Sequence, residues 1–284
     1  MSDSSPALPP APEAFVMLLP ARLIDPAKQP ALTAMGDFMA LTRSIADDPK
    51  MPGHLKDANL TALEGAMTTE EGYVPLPKGV RPTIMSTGFT LRRESDNRKI
   101  PVIYGRRVVQ AYKQDAIKKR YRDWSEFLAY LRYSAGASAA YTVEALGLDK
   151  ALTSQVEALA CAHALLAHMT SVQADFANGK KVYLPQRWFS DVGLDGEELS
   201  FDGNAAAWLK LRDQGVVQAR QMLLQSELLL KGIKDRKLRM AFAWAKSGVD
   251  MHCAALAASP VYPVASLAEP SRLRRIVATL RVAI

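Results

Sequence analysis

The chain has 284 residues, a net charge of +7, and hydrophobic residues at 49% but aromatics at only 7%. That length can bury a large core as one big domain or two small ones, and the charge is mild enough to mean simple solubility or a liking for anionic ligands or surfaces. The two cysteines, Cys161 and Cys253, form no metal-like or CxxC pattern, so they read as reduced and buried in a cytoplasmic protein. No basic segment followed by an apolar run opens the sequence, and no stretch is long enough to span a bilayer. Nothing in the pattern points to nucleic acid.

Residues 1–13 are rich in Ser, Pro and Ala and read as a disordered tail ahead of a single helical domain over 14–284. Phe15 to Leu23, with Pro20 inside it, reads as a short helix or turn. Gln29 to Asp47 is the first main helix, with Ala34, Phe38, Leu41 and Ile45 as its apolar stripe and Asp48-Pro49 as its stop. Leu60 to Met67 is a short helical piece, and 68–100 reads as irregular. Pro101 to Lys119 is a helix, followed by Arg122 to Leu146, where Asp123 and Glu126 form a capping-box pattern and Gly147 ends the element. Within it, residues 134–140 are all small, so a neighbouring helix or a ligand can come close. Ser154 to Asp175, Asn204 to Leu230, Asp235 to Ala257 and the basic, apolar Ser271 to Ile284 complete an all-α chain. Residues 191–203 are an acidic linker.

No GxGxxG, Walker loop, HExxH or zinc set is present. The polar line His168, Ser171, Asp175 lies at i, i+3, i+7 on one face of an Ala-rich helix. A lone histidine on a helix is more often structural than a ligand. Paired carboxylates on facing helices can hold Mg²⁺ and, through it, a diphosphate; here the candidates are Asp47, Asp48 and Asp175, which also read as caps and surface charges. Lys180, Lys181 and Arg187 flank Tyr183-Leu184-Pro185 and suit either an anionic head group or a solvated turn. The final helix, with Arg272, Arg274, Arg275 and Arg281 around Ile276, Val277, Leu280 and Ile284, suits docking on the core better than lying on an anionic membrane.

Four stretches, in order, carry a family resemblance. Leu19-Pro20-Ala21-Arg22-Leu23 looks like an entry motif. Phe38 to Pro49 aligns without gaps to FARxxDDIADxP. Ala111-Tyr-Lys-Gln-Asp115 through Lys119-Arg-Tyr-Arg-Asp-Trp124 to Ser134-Ala135 is similar to AFRQD…KxRYxDWxxLxxYCRxSA. Asp175 to Pro185 resembles DY…RVYLP. The chain thus resembles the squalene/phytoene synthase family, closest to its bacterial hydroxysqualene synthase branch of hopanoid synthesis, over residues 14–195. The resemblance implies an isoprenoid synthase type I helical bundle around a central cavity, in which two Asp-rich motifs hold Mg²⁺ and the diphosphates of two farnesyl chains.

The departures from that pattern sit at the chemistry. The leading two aspartates of the first motif fall on Arg43 and Ser44, and its last on Asp47; an upstream arginine falls on Ala40. The second motif begins at Ser171 and ends at Asp175, its preceding Gln and Asn falling on Ala164 and Ala167. The expected PVGR is Ala137-Ser-Ala-Ala140. A diphosphate leaves only when metal neutralises it, and Mg²⁺ takes one or two carboxylates per ion. Asp47 and Asp175 are too few for the family's metal set. The resemblance therefore implies a catalytically degenerate member. It would bind a prenyl or lipid head group through Arg43, Lys180, Lys181 and Tyr183. Its cavity would be lined by Phe38, Ser134, Gly136, Ala167 and Ser171, and it would need no cofactor. Such a chain would act through a partner, either an active paralogue or an assembly target, from the cytoplasm or the periphery of the inner membrane. The alternative is an active prenyltransferase, a hydroxysqualene or squalene synthase using Mg²⁺ on Asp47, Asp48 and Asp175 with farnesyl or presqualene diphosphate as substrate.

Overall fold

The computed structural model describes residues 13–69, 80–196, 199–201, 203–264 and 272–283. Two short 3₁₀ turns, Phe15–Leu18 and Ala21–Leu23, form an N-terminal strap. The first long helix, α1 (Gln29–Asp47), has the predicted bounds: Pro30 suits its first turn, and Asp48 leaves helical geometry ahead of Pro49. Its stripe of Ala34, Phe38, Leu41 and Ile45 is buried.

Then come α2 (Gly53–Thr68), α3 (Pro82–Asn97) and α4 (Ile103–Ile117). The region expected to be irregular therefore contains a helix. The strong charge of Arg92, Arg93, Glu94 and Asp96 masks a narrow apolar face of Ile84, Met85, Gly88 and Leu91, which is buried against α1 and α2. Residues 70–79 lie outside the described residues.

Asp123 caps α5 (Trp124–Leu131) by accepting from Glu126 N–H at 3.0 Å, while Glu126 reaches back to Arg122 N–H at 2.6 Å, one residue beyond a standard capping box. A π turn, Arg132–Gly136, joins α5 to α6 (Ala137–Leu146) as one continuous element. Gly147, at φ 64°, closes α6 in the left-handed conformation that glycine adopts without strain. The small run 134–140 is buried, and α1, α4 and α7 pack on α6. Those residues serve helix approach.

The central helix is α7 (Thr153–Gly179), followed by α8 (Gln186–Asp191), α9 (Ala205–Gln225), α10 (Leu229–Gly232), α11 (Arg236–Ala258) and α12 (Arg272–Ala283). Side-chain caps from Asn204 and Asp235 start α9 and α11. Among the described residues the one β feature is an isolated parallel bridge between Arg120 and Val182. A contiguous apolar core runs from Ala14 to Val264. No described helix is long and apolar enough to cross a membrane.

Candidate functional site

Four helices and the strap converge on one polar cluster. Arg43 and Asp47 stand one turn apart on the last turns of α1, so their side chains meet, with Arg43 Nε 3.0 Å from Asp47 Oδ2. Asp115 comes from α4. The segment leaving α7 is pinned to the segment leaving α4 by three backbone bonds: Val182 N–H to Lys119 O, Gln186 N–H to Tyr121 O and Arg187 N–H to Arg122 O. Lys180 turns the chain here in a left-handed conformation, at φ 54°. That reversal sends Lys181 and Tyr183 back over Asp115.

The geometry there is tight. Asp115, buried, lies 2.5 Å from Lys181 Nζ and accepts from Tyr183 Oη at 2.9 Å and Tyr121 Oη at 3.3 Å. Lys181 Nζ also lies 3.4 Å from Asp47. Burial pushes the Asp115 carboxyl above the usual aspartate range, and Lys181 opposes that rise. Asp175 is likewise raised by burial; it accepts from Ser171 Oγ at 2.6 Å, the predicted α7 face closing on itself.

Deeper in, Glu13 is fully buried. Tyr130 Oη donates to its Oε1 at 3.1 Å, and His168 Nε2 lies 2.9 Å from the same oxygen. Its Oε2 accepts from Tyr112 Oη at 3.0 Å and from Arg43 Nη1 at 3.2 Å. Burial alone would raise the Glu13 carboxyl, but the Arg43 guanidinium and His168 hold it well below the usual range. Tyr112 and Tyr130 are pushed far above the usual phenol range by burial, so they stay neutral donors. The rings of Tyr121, Phe127, Tyr130 and His168 pack round Tyr183, His168 stacking on it at 3.9 Å.

Outward from this cluster opens a cleft of about 550 Å³. Five cations line it (Arg43, Lys56, Lys118, Lys119 and Lys181) against the carboxylates of Asp47, Asp115 and Asp175. Of the expected site residues, Arg43, Asp47, Asp175, Lys181 and Tyr183 come together there. Lys180 does not join them: its ammonium lies over the Phe176 ring at 4.3 Å, outside the cleft lining. Asp48 is also outside, accepting from Lys50 N–H as a turn cap. Phe38 and Ser134 are completely buried, Ser134 donating to Tyr130 O at 2.8 Å. Gly136 faces Cys161 on α7, at 3.8 Å from where a Cβ would stand, and neither it nor Ala167 nor Ser171 lines the cleft.

The donor set does not fit the metal that the family resemblance implies. Mg²⁺ asks for near-octahedral oxygens at about 2.0–2.1 Å. Here the ammonium of Lys181 sits between Asp47 and Asp115, and Arg43 takes the remaining oxygen of Asp47. Among the described residues no three His, Cys, Asp or Glu side chains gather as a metal-ligand group. Protein cations occupy the ground between the acids.

Sequence reasoning missed Glu13, which it assigned to the tail, and gave no role to Tyr112, Tyr121 or Tyr130. The tyrosines were inside a quoted segment, but they lie on α4, in the connection after it and on α5, so only the packing of those elements brings them together. Glu13, in a Pro/Ala-rich stretch, carries no local signal at all.

Comparison with known proteins bears on the same frame. The family model described as squalene/phytoene synthase matches residues 17–279. A hydroxysqualene synthase of Rhodopseudomonas palustris is 24% identical over 216 residues, covering 76% of this chain and 70% of that protein. One from Sinorhizobium fredii is 25% identical over 217 residues, with 76% and 70% covered. Among solved structures, the squalene synthase HpnC from Alicyclobacillus acidocaldarius superposes with a TM-score of 0.66 at 18% identity, 86% of each chain being covered. A dehydrosqualene synthase in complex with ligand gives 0.66 at 17% identity, over 95% of this chain and 90% of that one. These likenesses establish the all-α fold; the residues in the cleft are this chain's own.

Proposed function

The chain belongs to the squalene/phytoene synthase family, and from that premise we propose that it is a catalytically silent member which binds an isoprenoid diphosphate or anionic lipid head group without Mg²⁺. The observation that carries the reading is Lys181, lodged between Asp47 and Asp115 where a metal-bridged pair of acids would need a cation. An ammonium there stands between the two acids, and its three donors suit a phosphate oxygen from the open side. Arg43, on the far side of Asp47, adds a second fixed cation. A diphosphate held by such charges is bound, but without a metal to carry away its charge it is not driven to leave.

A chain that holds a ligand without turning it over needs an output. On this reading the output is a protein partner, an active paralogue or an assembly target. The protein belongs to the cytoplasm, with peripheral membrane contact through α12. That helix packs on α11, with Arg275 over the Trp244 ring at 4.2 Å, while Ile276, Val277 and Leu280 stay over a third exposed.

A second reading, an active hydroxysqualene or squalene synthase of the isoprenoid pathway, draws on Asp115, which the fold does bring beside Asp47. Purified protein incubated with farnesyl or presqualene diphosphate, with and without Mg²⁺, separates the two. The silent reading expects no released pyrophosphate, no squalene or hydroxysqualene, and thermal stabilisation by the prenyl diphosphate that Mg²⁺ does not enhance. Mg²⁺-dependent product would replace it with the second reading.

A further inference from the structure

The cradle around Glu13 is built like a receptor for an oxyanion. Each carboxylate oxygen meets two groups: Tyr130 donates to one, with His168 Nε2 close beside it, and Tyr112 and Arg43 donate to the other, all between 2.9 and 3.2 Å. The four groups come from four different helices, α5, α7, α4 and α1. Two of them have a second hold: Arg43 is also held by Asp47, and His168 is stacked on Tyr183. Two buried neutral phenols, a buried imidazole and the guanidinium of Arg43, which reaches the cleft, form a site for a phosphate-sized anion.

The group that fills this site comes from the strap rather than from a helix, and the strap is packed on α1 and α6. Glu13 stands at the start of the strap, whose backbone is held by short 3₁₀ bonds such as Met17 N–H to Ala14 O at 3.0 Å. Beyond Pro20 the strap is tied to α1, where Gln29 Nε2 donates to Ala21 O and Ile24 O, each at 3.1 Å. Between Glu13 and that tie, Ala14, Phe15, Val16 and Leu19 are buried, Phe15 against Phe242, while Met17 is 58% exposed. Releasing Glu13 means moving the segment 13–19 off this packing, while the groups around it stay on their own helices. Arg43 links the cradle to the outer cleft directly, its Nη1 on Glu13 and its Nε on Asp47.

We propose that Glu13 is an internal anion that closes this site in cis, and that the phosphate end of a ligand entering through the cationic cleft displaces it, releasing the strap. The proposal rests on the head-group-binding reading above and supplies its regulation. It also gives the silent protein a signal: ligand binding alters the strap at its surface. The strap borders a surface groove shared with α11 and α12, lined by Met17, Pro20, Arg22, Trp244 and Ile276.

The full chain would be titrated with inorganic pyrophosphate and, separately, with farnesyl diphosphate. Affinity would be read by calorimetry and strap release by amide hydrogen exchange of residues 14–19. Removing the internal competitor in E13A tightens pyrophosphate binding at least tenfold, since the competent state no longer has to be reached by expelling a carboxylate. E13Q, nearly isosteric, shifts affinity the same way and guards against a folding defect in E13A. E13A/R43Q loses the gain. In the wild type, pyrophosphate speeds exchange in 14–19 and not in α7. Equal or weaker binding by both E13A and E13Q, or unchanged strap exchange at saturating pyrophosphate, overturns the proposal and leaves Glu13 a structural ion-pair partner. Tight pyrophosphate binding by E13A without any farnesyl diphosphate binding keeps the cis-anion site and removes the prenyl reading instead.

Discussion

Arg43 places a base at the point where α1 meets the cleft, and the consequences spread through its neighbours. A guanidinium there must be matched by anions, and two are supplied: Asp47 from its own helix and Glu13 from the strap. Breaking a buried, hydrogen-bonded charge pair by deleting one partner costs about 3–5 kcal/mol, because the survivor stays desolvated. The Glu13 carboxyl sits below its ordinary value of 4.5 in the folded protein. Its contribution to stability is therefore complete above pH 4.5 and drains away as the pH falls below that towards the folded value. Asp115 and Asp175, raised by burial, act in the opposite sense, but they are common to wild type and variant. The stability gap between wild type and E13Q should be wide at pH 7 and narrow steadily between pH 4.5 and pH 3, measured by urea unfolding. A gap independent of pH would mean that Glu13 is not ionised in the fold.

At the scale of elements, the site depends on how closely helices approach and how chains leave them. Gly88 on α3 faces α2 so tightly that a Cβ would stand 2.6 Å from Ala66 Cβ and 2.8 Å from Leu63 O. Backbone cannot yield as a flexible side chain can. Gly88→Ala should therefore destabilise the fold by about 1–3 kcal/mol, read in the unfolding midpoint, despite the better helix propensity of alanine. A neutral result would show that α2 and α3 slide apart freely. The exit from α7 is the second such place. Lys180 occupies a left-handed position that glycine usually takes, and because it does, Lys181 rather than Lys180 reaches the acids.

For the whole molecule, the cleft's excess of cations sets the character of any ligand. Lys56, Lys118, Lys119, Lys181 and Arg43 face three carboxylates, so the field at the mouth favours anions. Their mutual spacing makes much of that attraction long-ranged, and long-ranged attraction is screened by salt, with a Debye length of about 10 Å at 0.1 M and about 3 Å at 1 M. Pyrophosphate affinity should fall by roughly tenfold or more between 0.05 and 0.5 M NaCl by calorimetry, an order-of-magnitude expectation for several exposed cations acting together. Affinity insensitive to salt would place the binding energy in the buried cradle alone.

Much of this architecture was readable in the residues. The bounds of α1, the caps at Asp123, Asn204 and Asp235 and the left-handed stop at Gly147 follow from local chemistry, because a cap or a breaker acts within a few residues of itself. The all-α class is likewise a property of the sequence, since it needs only composition and period, and ungapped motif order is enough to put Arg43, Ser44 and Ser171 where the resemblance expects acids. The helix α3 was missed because its charged face outweighs a narrow apolar one, and only the presence of α1 and α2 makes that face sufficient. Glu13 and the pairing of Lys181 with Asp115 could not be read at all. They join positions 30 to 155 residues apart (Glu13 with Arg43 and His168, Asp115 with Lys181), and no local preference encodes such a meeting. The sequence by itself determined an all-α frame of the squalene/phytoene synthase family in which Arg43, Ser44 and Ser171 stand where the resemblance expects acids. Only the tertiary structure decided that protein cations and a carboxylate from the N-terminal strap stand in that ground, because burial leaves a charge no stable state except beside its opposite.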